Sequence, residues 1–290
     1  MSAHPRPRVV ISRCIDFDSC RYDGQAIRAS LREELEPHVD FVPICPELEI
    51  GLGVPRDPVR LVRRSGAAHM VQPSTGRDVT AEMESFSRDF LGGLGTADAF
   101  ILKARSPSCG VRNAKVFHID ADGAAFDSGP GLFAARVLER FPHAAVEDEA
   151  GMNDVRLRHR FLTKAFAVAG VRAAAAAGVP ALIDFHARSK LLLMAHSEAQ
   201  MRRLGRLLGD SAERPHGEVA REYAARFAAA LARPSRPGPK VKVLTWSARF
   251  GVPYLAHQTF LEPYPPELAR LERVTKRQRR SLREVPGAAP

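Results

Sequence analysis

Short apolar runs alternate with helically spaced segments through the first half of this chain, and that alternation limits its fold more than any other feature. RVVIS (8–12), VDFVPI (39–44), ADAFILK (97–103), KVFHID (115–120) and HAAVED (143–148) read as strands, with a turn at ADGAAF. GQAIRASLREELEP (24–37) puts Ile27, Leu31 and Leu35 on one helical face. DVTAEMESFSRDFLGGL (78–94) carries a stripe of Met83, Phe86 and Phe90, and Gly92 and Gly93 end it. GPGLFAARVLERF (129–141) reads as a third helix. Strands alternating with helices predict an α/β domain over residues 1–150, with a parallel, Rossmann-like sheet covered on both faces.

The second half has a different pattern. Residues 154–177, 179–209 and 217–233 are long, rich in Ala, Leu and Arg, and read as three helices. PSRPGPK (234–240) reads as a loop, VKVLTWSARFGV as a continuing helix, and the basic end of the chain as a mobile tail. An α-helical domain over 151–290 is the expectation. Charge divides at the same place. Residues 1–150 hold 18 Lys and Arg against 22 Asp and Glu, a net of −4, whereas residues 151–290 hold 25 against 11, a net of +14. A basic half beside a mildly acidic one points to a polyanion partner, although a solvated basic face has the same composition. No run approaches the roughly 20 apolar residues that span a bilayer, and the N-terminus lacks a signal-peptide core, so a cytoplasmic protein without a membrane partner is expected.

All four cysteines lie in the first 109 residues. Cys14 follows RVVIS, Cys45 follows VDFVPI and Cys109 follows ADAFILK. Parallel strands bring their C-terminal ends to one edge of a sheet, where ligands of such folds bind. Three thiolates converging there suit a cubane iron–sulfur cluster, each holding one corner iron. A zinc site and unliganded core cysteines stay open as alternatives, although zinc commonly takes four ligands in paired knuckles and none occurs here. Cys20 is a candidate fourth ligand or a buried bystander.

Glu47, two residues after Cys45, would face the same crevice and could act as a general base on water, or be an ordinary helix-start glutamate. Ser106 and Ser108 flank Pro107 beside Cys109. Their hydroxyls could meet substrate or cluster sulfur, or satisfy turn amides.

CIDFDSCRYDG, PICPELEIGLGVPRDP and ARSPSCG together resemble the signature of the thiouracil desulfurase (TudS-like) family. LIDFHARSKLLLMAHS and HQTFLEPYPPEL in the second half resemble the YbgA-type helical domain. A fusion of the two is similar to RudS-type desulfidases, which act on 4-thiouridine in tRNA. The resemblance implies a [4Fe-4S] cluster on Cys14, Cys45 and Cys109, with Cys20 not a ligand. It implies a catalytic carboxylate at Glu47 and a catalytic serine at Ser106, with Ser108 as the adjacent candidate and a substrate contact. CIDFDSC departs from the more aliphatic, glycine-containing loop of many members, which bears on substrate fit beside Cys14.

The chemistry implied is a non-redox hydrolysis of a C–S bond. A thiocarbonyl sulfur would bind the open iron, since thiophilic metals prefer sulfur, and Glu47 would activate water for attack on the ring carbon. The partner implied is tRNA, and the charge of the basic half makes Arg188, Lys190, Arg202, Arg203 and Arg206 its candidate contacts. Small thiolated pyrimidines are the alternative substrate, and a non-catalytic metal protein that binds RNA is the alternative function.

Overall fold

In the computed structural model, which describes residues 5–118 and 126–232, a four-stranded parallel sheet carries the cysteine-bearing loops. It is built from β1 (Arg8–Ser12), β2 (Asp40–Ile44), β6 (Ala99–Leu102) and β9 (Ala145–Asp148), in the order β2-β1-β6-β9. The chain passes from β1 to β2 on one side and later returns to β6 on the other. That reversal opens a crevice at the strands' C-terminal ends. Every residue of β6 is buried, as expected of a parallel strand covered on both faces.

A second sheet was not read in the sequence. β3 (Arg60–Arg64), β4 (Ala67–Gln72), β5 (Arg77–Asp78), β7 (Ala114–His118) and β8 (Phe126–Gly129) pair in the order β5-β4-β3-β7-β8. β3 and β4 form a hairpin whose turn residues Ser65 and Gly66 both have positive φ, at 48° and 84°. A two-residue turn of this kind matches the right-handed twist of the strands. KVFHID is therefore a strand, as expected, but it belongs to this mixed sheet, parallel to β3 and antiparallel to β8.

α3 (Thr80–Gly93) and α4 (Leu132–Arg140) follow their apolar stripes. Met83, Leu91, Phe133 and Val137 join Val10, Phe100, Leu61 and Val116 in one core. The helix expected over 24–37 is corrected. Only α1 (Leu31–Leu35) is helical, and the preceding backbone is taken by the Cys14 loop. The Ile27 amide donates to the Cys14 carbonyl at 2.7 Å, and the Asp16 carboxylate accepts from the amides of Ala29 and Leu31 at 2.6 and 2.7 Å. Those bonds outweigh the helical spacing, because a buried backbone amide needs a partner and here finds it across the loop. Two further short helices flank the sheet edge: α2 (Pro46–Glu49) and α5 (Glu149–Met152).

The chain divides into two units, one of Arg6–Phe161 and one whose main segment begins at Leu162. The second contains most of α6 (Val155–Ala177), then α7 (Val179–Gly209), a 3₁₀ turn at Ser211–Glu213 and α8 (His216–Ala232). Val171, Leu182, Leu193, Leu204, Tyr223 and Phe227 form its core. The single helix expected over 179–209 is broken at Ser197, whose φ of −163° and ψ of 103° are extended. The Ser197 hydroxyl accepts from the Gln200 amide at 3.3 Å, so SEAQ works as the cap of a new helical segment. Expectations for the 234–240 loop, the helix after it, HQTFLEPYPPEL and the basic tail lie outside the described residues, as does most of the ADGAAF turn.

Candidate active site

At the C-terminal edge of the parallel sheet lies a cavity of about 370 Å³, within the size range of small-molecule sites. Cys14, Cys45 and Cys109 all line it, as do Glu47, Ser106 and Ser108. The three strands that lead to the cysteines are neighbours in the sheet, which is why residues 31 and 64 positions apart in sequence reach one crevice.

Each side chain is held by local structure. Cys45 caps α2, its carbonyl accepting from the amides of Leu48 and Glu49, and this places Glu47 in the first turn facing the cavity. The Ser-Pro-Ser-Cys turn is held by α4: the Leu132 amide donates to the Pro107 carbonyl and the Ala134 amide to the Ser108 carbonyl, both at 3.0 Å. Gly131 makes this approach feasible, since a Cβ there would stand 2.5 Å from the Ser108 carbonyl oxygen. Gly110 is likewise forced, by the Ser106 carbonyl oxygen 2.7 Å from where its Cβ would be.

Glu47 is almost fully buried and both of its oxygens are engaged. Oε1 accepts from Ser108 Oγ at 2.6 Å, and Oε2 accepts from Arg56 Nε and Nη2 at 3.0 and 2.8 Å. Ser106 Oγ lies 3.0 Å from Ser108 Oγ. Ser108 has one hydroxyl proton, and Glu47 takes it, so Ser106 is the donor in that contact. The hydroxyl of Ser106 also accepts from the amides of Ser108 and Cys109. Ser108 is 1% exposed while Ser106 is half-buried, so the row Ser106, Ser108, Glu47 runs from the accessible side of the cavity inward.

The thiols sit in a desolvated environment. Burial pushes Cys109 up to about 12, against the hydrogen bonds of Ser12 and Ser108. The Cys45 thiol is raised, first by its hydrogen bond with Cys20 and then by burial. A metal centre binding these residues would displace their protons, since thiolates are the ligating form. Among the described residues no three His, Cys, Asp or Glu side chains close on a point suited to a single ion. Three soft sulfur donors lining one cavity are a donor set of the kind that holds an iron–sulfur cluster.

Several residues that build the site were not singled out from sequence. Arg56 ties Glu47 to the Cys20 carbonyl, which accepts from its Nη1 at 3.1 Å. Tyr22, a residue 43% exposed, borders the cavity, and the Arg21 guanidinium lies 5.6 Å from its ring centre. Lys103 Nζ pairs with Glu149 Oε1 at 2.6 Å, and Glu149 Oε2 accepts from the Ala104 amide, fixing the start of the cysteine turn. PRDP in the segment after Cys45 was the available signal for Arg56. Nothing in sequence spacing marks Glu149.

In the helical unit Arg203 and Arg206 line a second cavity with Arg214 and Arg226. Arg214 and Arg226 share Glu222, at 2.8 and 2.6 Å, while Arg203 and Arg206 have no acidic partner among the described residues. Arg202 points elsewhere and pairs with Glu198 at 2.7 Å. Arg188 and Lys190 are exposed on α7 before the break at Ser197.

The family model for 2-thiouracil desulfurase matches residues 9–149, and the model of a family of unknown function, DUF1722, matches residues 190–246. The uncharacterized protein YbbK of Bacillus subtilis is 31% identical over 156 residues, which is 51% of this chain and 99% of YbbK. A solved structure titled as the [4Fe-4S]-dependent thiouracil desulfidase TudS is 27% identical, with a TM-score of 0.41, over 53% of this chain and 97% of that one.

Proposed function

The chain belongs to the 2-thiouracil desulfurase family, and from that premise we propose that its first unit hydrolyses the C–S bond of a thiolated uracil, most suitably 4-thiouridine in tRNA. One observation carries the reading: a buried glutamate, wired through two serine hydroxyls, shares a cavity with three cysteines. The overall reaction is C=S plus water to C=O plus hydrogen sulfide, so no electrons are gained or lost.

Cys14, Cys45 and Cys109 would hold a [4Fe-4S] cluster. Bound through only three thiolates, it would supply an iron without a protein ligand as a soft site for the thiocarbonyl sulfur. The rest of the work falls to this chain's own groups. Ser106, at the outer end of the row, takes a proton from the attacking water as its own passes to Ser108 and that of Ser108 to Glu47. Reversing the path returns a proton to the departing sulfur. Arg56 holds Glu47 in place and occupies its second oxygen, so the proton traffic is confined to Oε1. Glu47 and Ser108 are themselves buried, which strengthens the bond between them.

The helical unit supports the larger substrate. A thiobase is too small to use a basic half of net charge +14, whereas folded tRNA offers many phosphates. Arg203 and Arg206, unpaired among the described residues, are the cations best placed for this, with Arg188, Lys190 and Arg202 as further contacts. The target base would have to leave its stack, at a cost of a few kcal/mol, and backbone contacts would help offset it.

The test is to incubate anaerobically reconstituted protein with thiolated bulk tRNA and, separately, with 4-thiouracil. Thionucleoside analysis and sulfide release are then followed. Loss of 4-thiouridine from tRNA with stoichiometric sulfide is the expected result. Turnover of the free base alone would move the function to free thiobases, and turnover of neither would reject desulfuration.

A further inference from the structure

The second sheet turns one face to the core, and no step described above uses the other. Leu61, Met70, Ala114 and Val116 lie inward, in the core that also packs Val10 and Phe100. The register gathers the alternate residues on the opposite face: Val62 pairs with both His69 and Phe117, and Phe117 pairs with Phe126. Successive residues of a strand point to opposite sides, so Arg60, Arg64 and Lys115 share that outer face, and all three are exposed.

Charge on this face is unevenly matched. At the β4–β5 end Asp78 pairs with Arg64 at 3.4 Å and with His69 at 3.1 Å. At the β7–β8 end Arg60 and Lys115 have no acidic partner among the described residues, and each lies over a ring instead. The Arg60 guanidinium is 5.4 Å from the centre of Phe117, and Lys115 Nζ is 4.2 Å from that of Phe126. The two ring centres are 5.8 Å apart. A cross-strand aromatic pair stabilises a hairpin by itself, but this one leaves Phe126 44% exposed and Phe117 only half-buried. Accessible rings flanked by cations are what a single-stranded nucleic acid uses, the rings for its bases and the cations for its phosphates. The half of the sequence that holds this face is net −4, so its basic character is local. Its place also matters. Pro58 and Val59, immediately before Arg60, line the cavity of the three cysteines and Glu47.

We propose that this outer face is an RNA-contact surface, which takes unstacked bases on Phe117 and Phe126 and the adjoining phosphates on Arg60 and Lys115. The proposal rests on the reading of RNA as the substrate. A target base that leaves its stack disrupts its neighbours as well, and a stacking platform that begins one residue from the cavity wall can take them up. This surface belongs to the first unit and is distinct from the arginines of the helical unit.

Full-length reconstituted wild type, Phe126→Ala, Phe126→Leu and the double variant Arg60→Gln with Lys115→Gln are compared by filter binding of unthiolated bulk tRNA over about 50 to 200 mM salt. The wild-type complex is also irradiated with short-wave ultraviolet light and digested, which locates side chains in contact with bases. Crosslinks are expected at Phe117 or Phe126. The double variant should flatten the slope of log K against log salt by about 2. Phe126→Ala should keep the wild-type slope and bind about 5–150-fold more weakly, the range for one lost base stack. Phe126→Leu should be as weak, because it keeps apolar volume without a π-face, and it serves alone if the alanine variant does not fold. Rescue by leucine would mean a structural role and overturn the proposal. So would wild-type affinity in Phe126→Ala, even beside a flattened slope in the double variant, which would make the face a basic surface only. Crosslinks absent from β7 and β8 would overturn it too and leave the face to a protein partner. Unthiolated tRNA has no C–S bond to break, so this result is read apart from turnover. tRNA that binds here as expected, while thiolated tRNA is left intact, would reject the substrate reading and leave the surface standing.

Discussion

Ser108 Oγ donates to Glu47 Oε1 at 2.6 Å, and this contact joins the loop after β6 to the helix after β2. It separates the two serines by role. In the proposed mechanism Ser108 would be the inner relay and Ser106 the group nearer to substrate. Glu47→Gln should keep the iron and lower turnover about 10²–10⁴-fold, the usual range for acid–base groups. Ser108→Ala should lower kcat with little change in KM, because Ser106 still meets substrate while the path to Glu47 is cut. Steady-state desulfuration with iron content as the control checks both. A Glu47→Gln enzyme of near-normal rate would remove the carboxylate from the mechanism.

Arg56 and Glu47 form a nearly buried ion pair, with side chains 4% and 11% exposed. Deleting one partner of such a pair leaves a buried charge unmatched, which typically costs about 3–5 kcal/mol. Arg56→Gln should therefore lower stability by an amount of that order and loosen the Cys20 carbonyl as well. Arg56→Lys should recover part of the charge but not the two-pronged geometry. Urea unfolding of the apo chain measures this. A loss below 1 kcal/mol for Arg56→Gln would show that the pair contributes little to the fold.

Much of the first unit was legible because apolar period and chain order agree. RVVIS, VDFVPI and ADAFILK are β1, β2 and β6, and the rule that parallel strands share an edge correctly gathers Cys14, Cys45 and Cys109 around one cavity. The helix expected over 24–37 failed because Asp16 and the Cys14 carbonyl take its amides, a tertiary demand that spacing does not record. β3 and β4 alternate only weakly, and their best signal was the Ser65-Gly66 turn. Arg56 and Glu149 act through partners 9 and 45 residues away, so their roles became visible only with the fold.

Replacing Cys14, Cys45 or Cys109 singly by serine should strip the iron, since a hard oxygen ligand destabilises a cubane corner. Iron and sulfide assays after anaerobic reconstitution report this, beside retention of most iron by Cys20→Ala. A full iron complement in any of the three serine variants would break the ligand assignment.

His186 is buried in the helical unit, its Nδ1 3.1 Å from the Tyr223 hydroxyl. Burial first, and the charge of Lys190 second, hold its pKa below the usual 6.5. Neutral imidazole accepts from Tyr223 there, while imidazolium cannot. Between the depressed folded value and 6.5 the unfolded chain binds more protons, so stability falls as pH drops through that window. Hydrogen exchange of segments 179–209 and 216–232 should speed up from pH 7 toward pH 5 once corrected for intrinsic rates. His186→Gln should flatten that dependence. An unchanged profile in the variant would place the titration elsewhere.

Arg203 and Arg206 give the sharpest test of the RNA reading, because a neighbour on the same helix provides a control. Arg202 is one residue away and equally exposed, but Glu198 already neutralises it at 2.7 Å. The other two line a cavity with Arg214 and Arg226 and lack an acidic partner among the described residues. A phosphate contact releases condensed counterions, so each one removed should reduce the slope of log K against log salt by about 1. Arg203→Ala with Arg206→Ala should then weaken tRNA binding and flatten its salt dependence by roughly 2, while Arg202→Ala changes the slope less. Turnover of 4-thiouracil should be untouched in all of these, since a free base makes no phosphate contact. Filter binding of tRNA between 50 and 200 mM salt, a range of the order over which such contacts lose most of their affinity, provides the measurement. Equal slopes for wild type and the double variant would show that these arginines serve only as a solvated basic face.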